Sequence, residues 1–474
     1  MSLCVFIILI HRKKLKMNLF DTIAAISTPY GKGGVALIRI SGDKAIEIAK
    51  EVFSPSNNKT LSDCKSNVAY HGDIFKILEG NKIQIDDGLA TVFRAPKSFT
   101  GEDTVEICCH GGVLVTQSVL SACLAAGARH AAAGEFTRRA FINGKMGLNE
   151  AEALGNLLEA ETEEQMLASR AGMRGVLSEK TGEIYASLCS ILASVFAHID
   201  YPDEDLADMS EEEMLVALSE NRAKLAGLLA TYSTGRAVMS GINTVILGKT
   251  NAGKSSLYNM LVGSDAAIVT DIAGTTRDVI SERVKMGRVM LKLSDTAGIR
   301  ESSDVVEKIG IDRAKSAAEN AELVLAVFDG SREQTDDERE LIEYIKGLDA
   351  TKIAIINKSD IGCLPEYEVL ANGFEYGIKI SALKGEGYLE LCELVEQIYI
   401  DKNLDTGNDA MIVNARQNAA ISSAMEAVNT AAESVRLGLP LEVCCADIES
   451  AMQSLSELDG RAVSEDVVSE LILF

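Results

Sequence analysis

The chain has 474 residues, 46 basic and 70 acidic side chains for a formal charge of −24, 47% hydrophobic residues and no Trp. That length predicts two to four domains at roughly 100–200 residues each, and the acidic balance excludes a broad basic face for wrapping nucleic acid while leaving room for a small local contact. The ten cysteines show no CxxC pair and no His/Cys cluster at zinc spacing; the adjacent pairs Cys108–Cys109 and Cys444–Cys445 read as buried thiols of a reducing cytoplasm.

In chain order, "CVFIILI" (4–10) comes first. It is too short for a bilayer, which needs ~20 apolar residues, and the basic "HRKKLK" follows it where a signal peptide would put charge first. Met17 then opens a sensible globular sequence, so residues 1–16 are expected to be an upstream extension or a misassigned start, with no membrane role. Residues 21–130 alternate short apolar runs with Gly/Pro/Ser/Asn breaks, in "GGVALIRISG", "NVAYHGDIFKI", "GLATVFRAP" and "DTVEICCHGG", which predicts strands. From about 138 to 235 the period becomes helical: Leu188, Ile191, Leu192, Val195 and Phe196 share one face, "YPDEDLADMSEEE" breaks the pattern, and a second helical run follows. From 242 strands and helices alternate, predicting a doubly wound parallel sheet, and from about 411 the chain is helical again. The expected architecture is α/β plus α: an N-terminal α/β domain (17–137), a helical domain split in sequence (138–238 and 401–474), and between its halves a Ras-like P-loop G domain (239–400) with a mostly parallel sheet.

Gly248 to Ser255 fits G-x-x-x-x-G-K-S, between the strand "INTVIL" and the helix "KSSLYNML". Chance would place roughly 0.02 such matches in a chain of this length. Backbone N–H groups of Asn251, Ala252, Gly253, Lys254, Ser255 and Ser256 would surround phosphate oxygens at a positive helix end, Lys254 reaching the outer phosphates and the Ser255 hydroxyl ligating Mg²⁺. "DTAG" follows the strand "VMLKLS": Asp295 would hold Mg²⁺ through water, and Thr296, Ala297 and Gly298 would line the last phosphate. "NKSD" ends the strand "KIAIIN". Guanine offers one carboxylate two donors, its ring N–H and its exocyclic amine, and Asp360 can accept both; adenine offers no such pair, so the choice of base is sharp. Asn357 would support the base edge, Lys358 would cover the base, Ser359 belongs to the same turn, and Ser381 and Ala382 of "SAL" would cap the guanine. Together these elements predict a GTP site. Between them, "TDIAGTTRD" supplies Thr270, Asp271, Ile272, Ala273, Gly274, Thr275 and Thr276 as a switch loop, with Thr276 the second Mg²⁺ hydroxyl.

Hydrolysis departs from the Ras pattern. Where a Gln would position water after DTAG, Ile299 stands. Asn251 offers an oxygen beside the phosphates for a monovalent cation; the alternatives are a purely internal hydrogen bond for Asn251, and Arg277 or Arg300 as a finger.

With these motifs in view, the chain resembles the MnmE (TrmE) family of bacterial tRNA-modification GTPases from about residue 20 to 470. The likeness rests on "TPYGKGGVALIRISG", "SFTGED", "HGG", "GEFTRRAFINGK", "YPDEDL", "GKTNAGKSS", "DIAGTTRD", "DTAGIR", "VEKIGI" and "NKSD". The resemblance implies an N-terminal domain that dimerises and binds 5-formyl-tetrahydrofolate at Arg39, Glu106 and Lys145. It implies K⁺ bound by Asn251, Thr270, Ile272 and Thr275, with Glu307 as catalytic glutamate acting through a bridging water. The implied function is K⁺-stimulated GTP hydrolysis in a homodimer. With the flavoprotein MnmG (GidA), in a heterotetramer or larger complex, it would add an aminomethyl or carboxymethylaminomethyl group to carbon 5 of the wobble uridine of certain tRNAs. FAD would sit on the partner, since this chain has no G-x-G-x-x-G loop. Two departures stand out. Ala133 replaces a usual proline. The family's terminal Cys-Ile-Gly-Lys is missing after "SEDVVSELILF", so either the sequence stops a few residues short or the protein lacks that thiol. Two other readings share parts of this pattern: a regulatory RNA-associated GTPase in ribosome assembly, which would lack residues 20–145 and carry an RNA module absent here, and a folate-dependent one-carbon transferase with an attached GTPase.

Overall fold

The computed structural model describes residues 21–57, 59–200, 209–263, 282–294 and 318–460. They divide into two compact units, one up to Glu152 together with Gly460, the other Ala153–Asp459.

The first unit runs β1 (Ile23–Ile26), β2 (Val35–Ser41), α1 (Ala45–Val52), β3 (Phe53–Pro55), β4 (Ala69–Leu78), β5 (Asn81–Phe93), β6 (Thr104–His110), α2 (Val113–Ala125), β7 (Arg129–His130) and α3 (Glu135–Ile142). Helix α4 (Leu148–Leu158) crosses the division. The sheet order is β3-β4-β5-β6-β2-β1-β7, antiparallel except where β7 joins β1. Period-two alternation decides the faces. Ala36, Ile38 and Ile40 of β2, with Val105 and Ile107 of β6, pack against Ile48, Val52, Val119 and Cys123 of the two helices. The opposite face carries Arg39 and Glu106, directly paired across β2 and β6.

In the second unit, α5 (Glu163–Met173), α6 (Val176–Asp200), α7 (Glu211–Ala230) and α8 (Tyr232–Ser240) precede the sheet. Capping boxes start α5 at Thr162/Gln165 and α7 at Ser210/Glu213. Then come β8 (Ile242–Gly248), α9 (Lys254–Gly263), β9 (Glu282–Met286), β10 (Val289–Leu293), β11 (Leu323–Asp329), α10 (Asp336–Lys346), β12 (Thr351–Asn357), α11 (Pro365–Asn372), β13 (Tyr376–Lys379) and α12 (Tyr388–Tyr399). Helices α13 (Ala415–Arg436) and α14 (Leu441–Asp459) close the unit. The sheet order β13-β12-β11-β8-β10-β9 is parallel except for the edge strand β9. Its central strands are apolar on both faces, as helices on both sides require: Leu325, Val327 and Ile355 pack to one side, and Val324, Phe328 and Ile356 meet Ile342, Ile345 and Tyr367 on the other.

Helices from both sides of this sheet domain share one core. Leu188, Ile191 and Val195 of α6 and Leu218 and Leu225 of α7 pack with Ile421 and Val428 of α13 and Ile448 and Leu455 of α14. Phe196 corrects the predicted apolar face: it is 45% exposed, because at 100° per residue it lies farthest round from the stripe's centre. Among the described residues no helix is long and apolar enough to cross a membrane. The nine described cysteines are free thiols; Cys109, Cys123, Cys444 and Cys445 are buried, Cys108 is half-buried and Cys189 is exposed.

Candidate functional site

The sheet of the second unit gathers three loops at the carboxyl ends of its parallel strands, where open α/β sheets bind ligands. β8 ends at Gly248, paired with Val327 of the neighbouring β11. Its loop leads into α9, which starts at Lys254. Asn251 and Gly253 adopt left-handed backbone angles, φ 64° and 101°. A side chain at Gly253 has no room: a Cβ there would lie 2.0 Å from Nδ2 of Asn357, so only glycine lets the loop pass this close.

Asn357, 2% exposed at the end of β12, is the tie between the loops. Its Nδ2 donates to the Ala252 carbonyl at 3.0 Å, and its Oδ1 accepts from the Ala382 N–H at 3.0 Å. One buried carboxamide thus fixes the glycine loop against the "SAL" segment, and both halves of its hydrogen-bonding capacity are used. Ser359 donates its backbone N–H to the Ile380 carbonyl at 3.0 Å, which joins the 357–360 turn to the same segment. Lys254 donates from Nζ to the carbonyls of Gly248 and Lys249, both at 2.9 Å, so its ammonium is held along the loop. Ala252 is buried, Ser256 half-buried, and Asn251 and Ser255 are exposed.

Asp360 is oriented from two sides. The buried Ser381 hydroxyl donates to Oδ1 at 2.8 Å, and the Lys384 ammonium lies 3.4 Å from Oδ2. The Ser381 bond above all, with Lys384, holds this carboxyl below the usual range, so it is an ionised double acceptor at neutral pH. Lys358, at φ 64°, places Nζ 2.6 Å from Oδ2 of Asp329 at the end of β11. Burial works to raise the Asp329 carboxyl, but Lys358 and Ser331 outweigh it and keep it low. Sequence reasoning missed Asp329; the signal was an aspartate ending an all-apolar strand, one strand from NKSD.

Thr270, Asp271, Ile272, Ala273, Gly274, Thr275, Thr276, Asp295, Thr296, Ala297, Gly298 and Glu307 lie outside the described residues, as do Arg277, Ile299 and Arg300. The strand preceding Asp295, β10, is present and joins β8 in parallel.

In the first unit, Arg39 donates from Nε to Oε1 of Glu106 at 2.8 Å, with Nη2 at the same distance. The guanidinium also lies 5.0 Å from the Phe99 ring centroid and 5.5 Å from that of Phe136, within cation–π range. Lys145 donates from Nζ to the Pro96 carbonyl at 2.9 Å and lines Gly101. Arg39 and Lys145 therefore border the same 96–101 segment, with Glu106 bound to Arg39. The two phenylalanines were missed, although they stand in "SFTGED" and "GEFTRR". Also missed was a buried charge cluster. Arg139, 2% exposed, donates to the carbonyl and carboxylate of Asp21 and to Glu102 and Glu135. Arg129 closes the cluster against Asp21 and Glu135.

Comparison with known proteins finds matches along nearly the whole chain. The family model of the GTP-binding protein TrmE N-terminus matches residues 22–145, and that of the MnmE helical domain matches 148–471. The tRNA modification GTPase MnmE of Lactococcus lactis subsp. cremoris (strain MG1363) is 40% identical over 453 residues, 95% of this chain and 97% of its own. The protein of the same name from Acetivibrio thermocellus is 37% identical over 454 residues, again 95% and 97%. Among solved structures, a point variant of Aquifex aeolicus Era bound to GDP·AlF4⁻ is 29% identical, covering 39% of this chain and 65% of its own, with a TM-score of 0.26; that overlap is too slight to add to the sequence matches. With one family model across 148–471 and relatives matched along nearly their whole length, the chain belongs to the MnmE family of tRNA modification GTPases.

Proposed function

We propose that the chain hydrolyses GTP as the motor of a tRNA modification. The observation that carries this is the convergence on Asn357, which ties a phosphate-type glycine loop to the segment that orients Asp360. The loop would meet the phosphates through its backbone N–H groups and Lys254; Asp360 accepts both guanine donors and rejects adenine, whose presence would leave a charged acceptor unpaired. The exposed Ser255 hydroxyl and Asn251 carboxamide are the oxygen donors that hard cations take, so these residues fit Mg²⁺ at Ser255 and K⁺ at Asn251. The family resemblance adds Thr276 for Mg²⁺ and Thr270, Ile272 and Thr275 for K⁺. When bound, such ions neutralise charge developing on the phosphates, and Glu307 would orient the water in place of the missing glutamine.

The finer reading is a cytoplasmic homodimer working with the FAD-carrying MnmG on the wobble uridine of certain tRNAs, with 5-formyl-tetrahydrofolate at Arg39, Glu106 and Lys145. A guanidinium flanked by two aromatic rings and a carboxylate fits a pterin with an anionic tail; the folate would supply a one-carbon unit. Three measurements test these statements separately. GTP, not ATP, is expected to bind the purified chain; equal uptake of both overturns the site. GTP turnover in K⁺ is expected to exceed that in Na⁺; equal rates remove the cation assignment. Nucleoside analysis of tRNA from a deletion strain is expected to lack the wobble modification, and normal modification with stalled ribosome assembly would favour a ribosome-assembly GTPase instead.

A further inference from the structure

The buried cluster of the first unit is placed so that it can do more than stabilise. Arg39 and Ser41 lie two residues apart on one face of β2. Above Ser41 sits the 98–103 segment: the Ser41 hydroxyl pairs with the Thr100 hydroxyl at 2.7 Å and donates to Oε2 of Glu102 at 2.7 Å. That grip sets Phe99 over Arg39. Helix α3 comes to the same place from the other side. Its Phe136 covers Arg39, and Arg139, one turn on, reaches Glu102 through Nη1 at 3.2 Å. Just beyond the helix, Asn143 donates to the Thr100 carbonyl at 2.7 Å. Arg139 also takes the Asp21 carbonyl at 2.7 Å and its Oδ1 at 2.8 Å. One buried guanidinium therefore holds Asp21, two residues ahead of β1, the 98–103 segment and α3, and the last two bring the aromatic rings to Arg39. Arg129 differs: it is 36% exposed and bonds Asp21, Glu135 and the His130 carbonyl without touching the segment.

We infer that Arg139, through Glu102, is a positioning residue that fixes the 98–103 segment and α3 around Arg39 and so sets the affinity of this unit for a reduced folate. The affinity half rests on the folate reading above; the positioning half does not. An arginine can do this where a lysine cannot, because its planar fork serves acceptors of three residues in fixed directions. Arg139→Lys keeps the charge and loses the directions, while Glu102→Gln keeps the shape and the Ser41 contact and loses the charge.

The test uses the full chain. Because it contains no Trp, Lys97→Trp, at an exposed position beside the segment, gives a single tryptophan, excited at the red edge where tyrosine does not absorb, whose quenching by acrylamide reports local order. Expected results are increased quenching in Arg139→Lys and Glu102→Gln, and binding of 5-formyl-tetrahydrofolate, per folded protein by calorimetry, weakened about tenfold or more, with GTP turnover unchanged. Arg129→Lys should lower the melting temperature yet leave quenching and affinity within about twofold. Unchanged quenching in both Arg139→Lys and Glu102→Gln overturns the inference whether or not folate binds. Loss of affinity in Arg129→Lys equal to that in Arg139→Lys also overturns it, since the cluster would then be only structural. If the unsubstituted chain takes up no folate, the folate reading fails, and the quenching alone decides the positioning role.

Discussion

At the scale of single residues, Asp360 and Gly253 give the sharpest expectations. Replacing Asp360 by Asn turns a double acceptor into a group with an N–H on one side. GTP binding should weaken by about 10–100-fold, the range for losing a charged hydrogen-bond pair. Xanthosine triphosphate, whose base carries a carbonyl where guanine carries its amine, should bind better to Asp360→Asn than GTP does. Competition with a labelled nucleotide measures both, and an unchanged order of preference would show that Asp360 does not read the base. Gly253→Ala should abolish GTP binding, because the new methyl would collide with Asn357 and free the "SAL" segment; titration with a fluorescent GTP analogue checks it. These residues were legible because each motif is contiguous and stands at a strand end. Asp329 and Arg139 were not: their roles lie in partners 29 and up to 118 positions away, and no local spacing encodes such pairings.

Among the elements, the β9–β10 hairpin stands out. It is held to α5 by Arg288, whose guanidinium forks onto both oxygens of Glu164 at 3.0 and 3.1 Å, and near it by Arg283 with Glu161 at 3.0 Å. Thr406 donates to the same Glu164 at 2.6 Å. Its turn passes through Gly287 at φ 60°, where a Cβ would lie 1.8 Å from Oε1 of Glu396, the atom that accepts the Arg288 N–H. Gly287→Ala therefore combines left-handed strain of roughly 1–2 kcal/mol with loss of that bond, and the melting temperature should fall by several degrees; an unshifted transition would mean that the turn relaxes freely. Ser210→Ala, which removes one half of the α7 capping box, should cost about 1 kcal/mol. Long periodic helices and buried parallel strands could be read from the sequence, whereas β1 and β9 escaped notice: β1 is half alanine and β9 carries three charged residues, types that strands disfavour. Phe196 shows the other limit: periodicity finds a stripe but not its edge.

For the molecule as a whole, the buried charge cluster should make the first unit sensitive to acid. The hydrogen bond from Arg129 first, with Arg139, holds the Asp21 carboxyl low; for Glu135 burial pushes upward, but Arg129 and the Ala132 N–H prevail and lower it. Carboxyls lowered in the folded state contribute stability that is present above their ordinary range and lost as pH falls through the folded values. Calorimetry between pH 7 and pH 3 should therefore show the first unit losing stability below about pH 4–5; Arg129→Ala, which removes the largest lowering influence on Asp21 and Glu135, should flatten that dependence, and Arg139→Ala, which leaves buried carboxylates without their partner, should lower stability by about 3–5 kcal/mol. A pH-independent transition would contradict the cluster's role. The charge of −24 bears on the proposed tRNA substrate. Few phosphates can be neutralised, so binding of free tRNA to this chain alone should be weak, with a shallow dependence on salt.

The shared helical core has a consequence for how the chain is made. Roughly 180 residues separate Ala230, the end of α7, from Met411, ahead of the returning helices. At about 5–20 residues per second on a ribosome, α6 and α7 would wait roughly 10–40 s with their leucine faces uncovered. The intervening sheet closes entirely with its own strands, so it is free to fold during that interval and carry the latecomers back to their partners. Nascent-chain accessibility to chaperones should peak between those two points of synthesis and vanish once α14 has emerged.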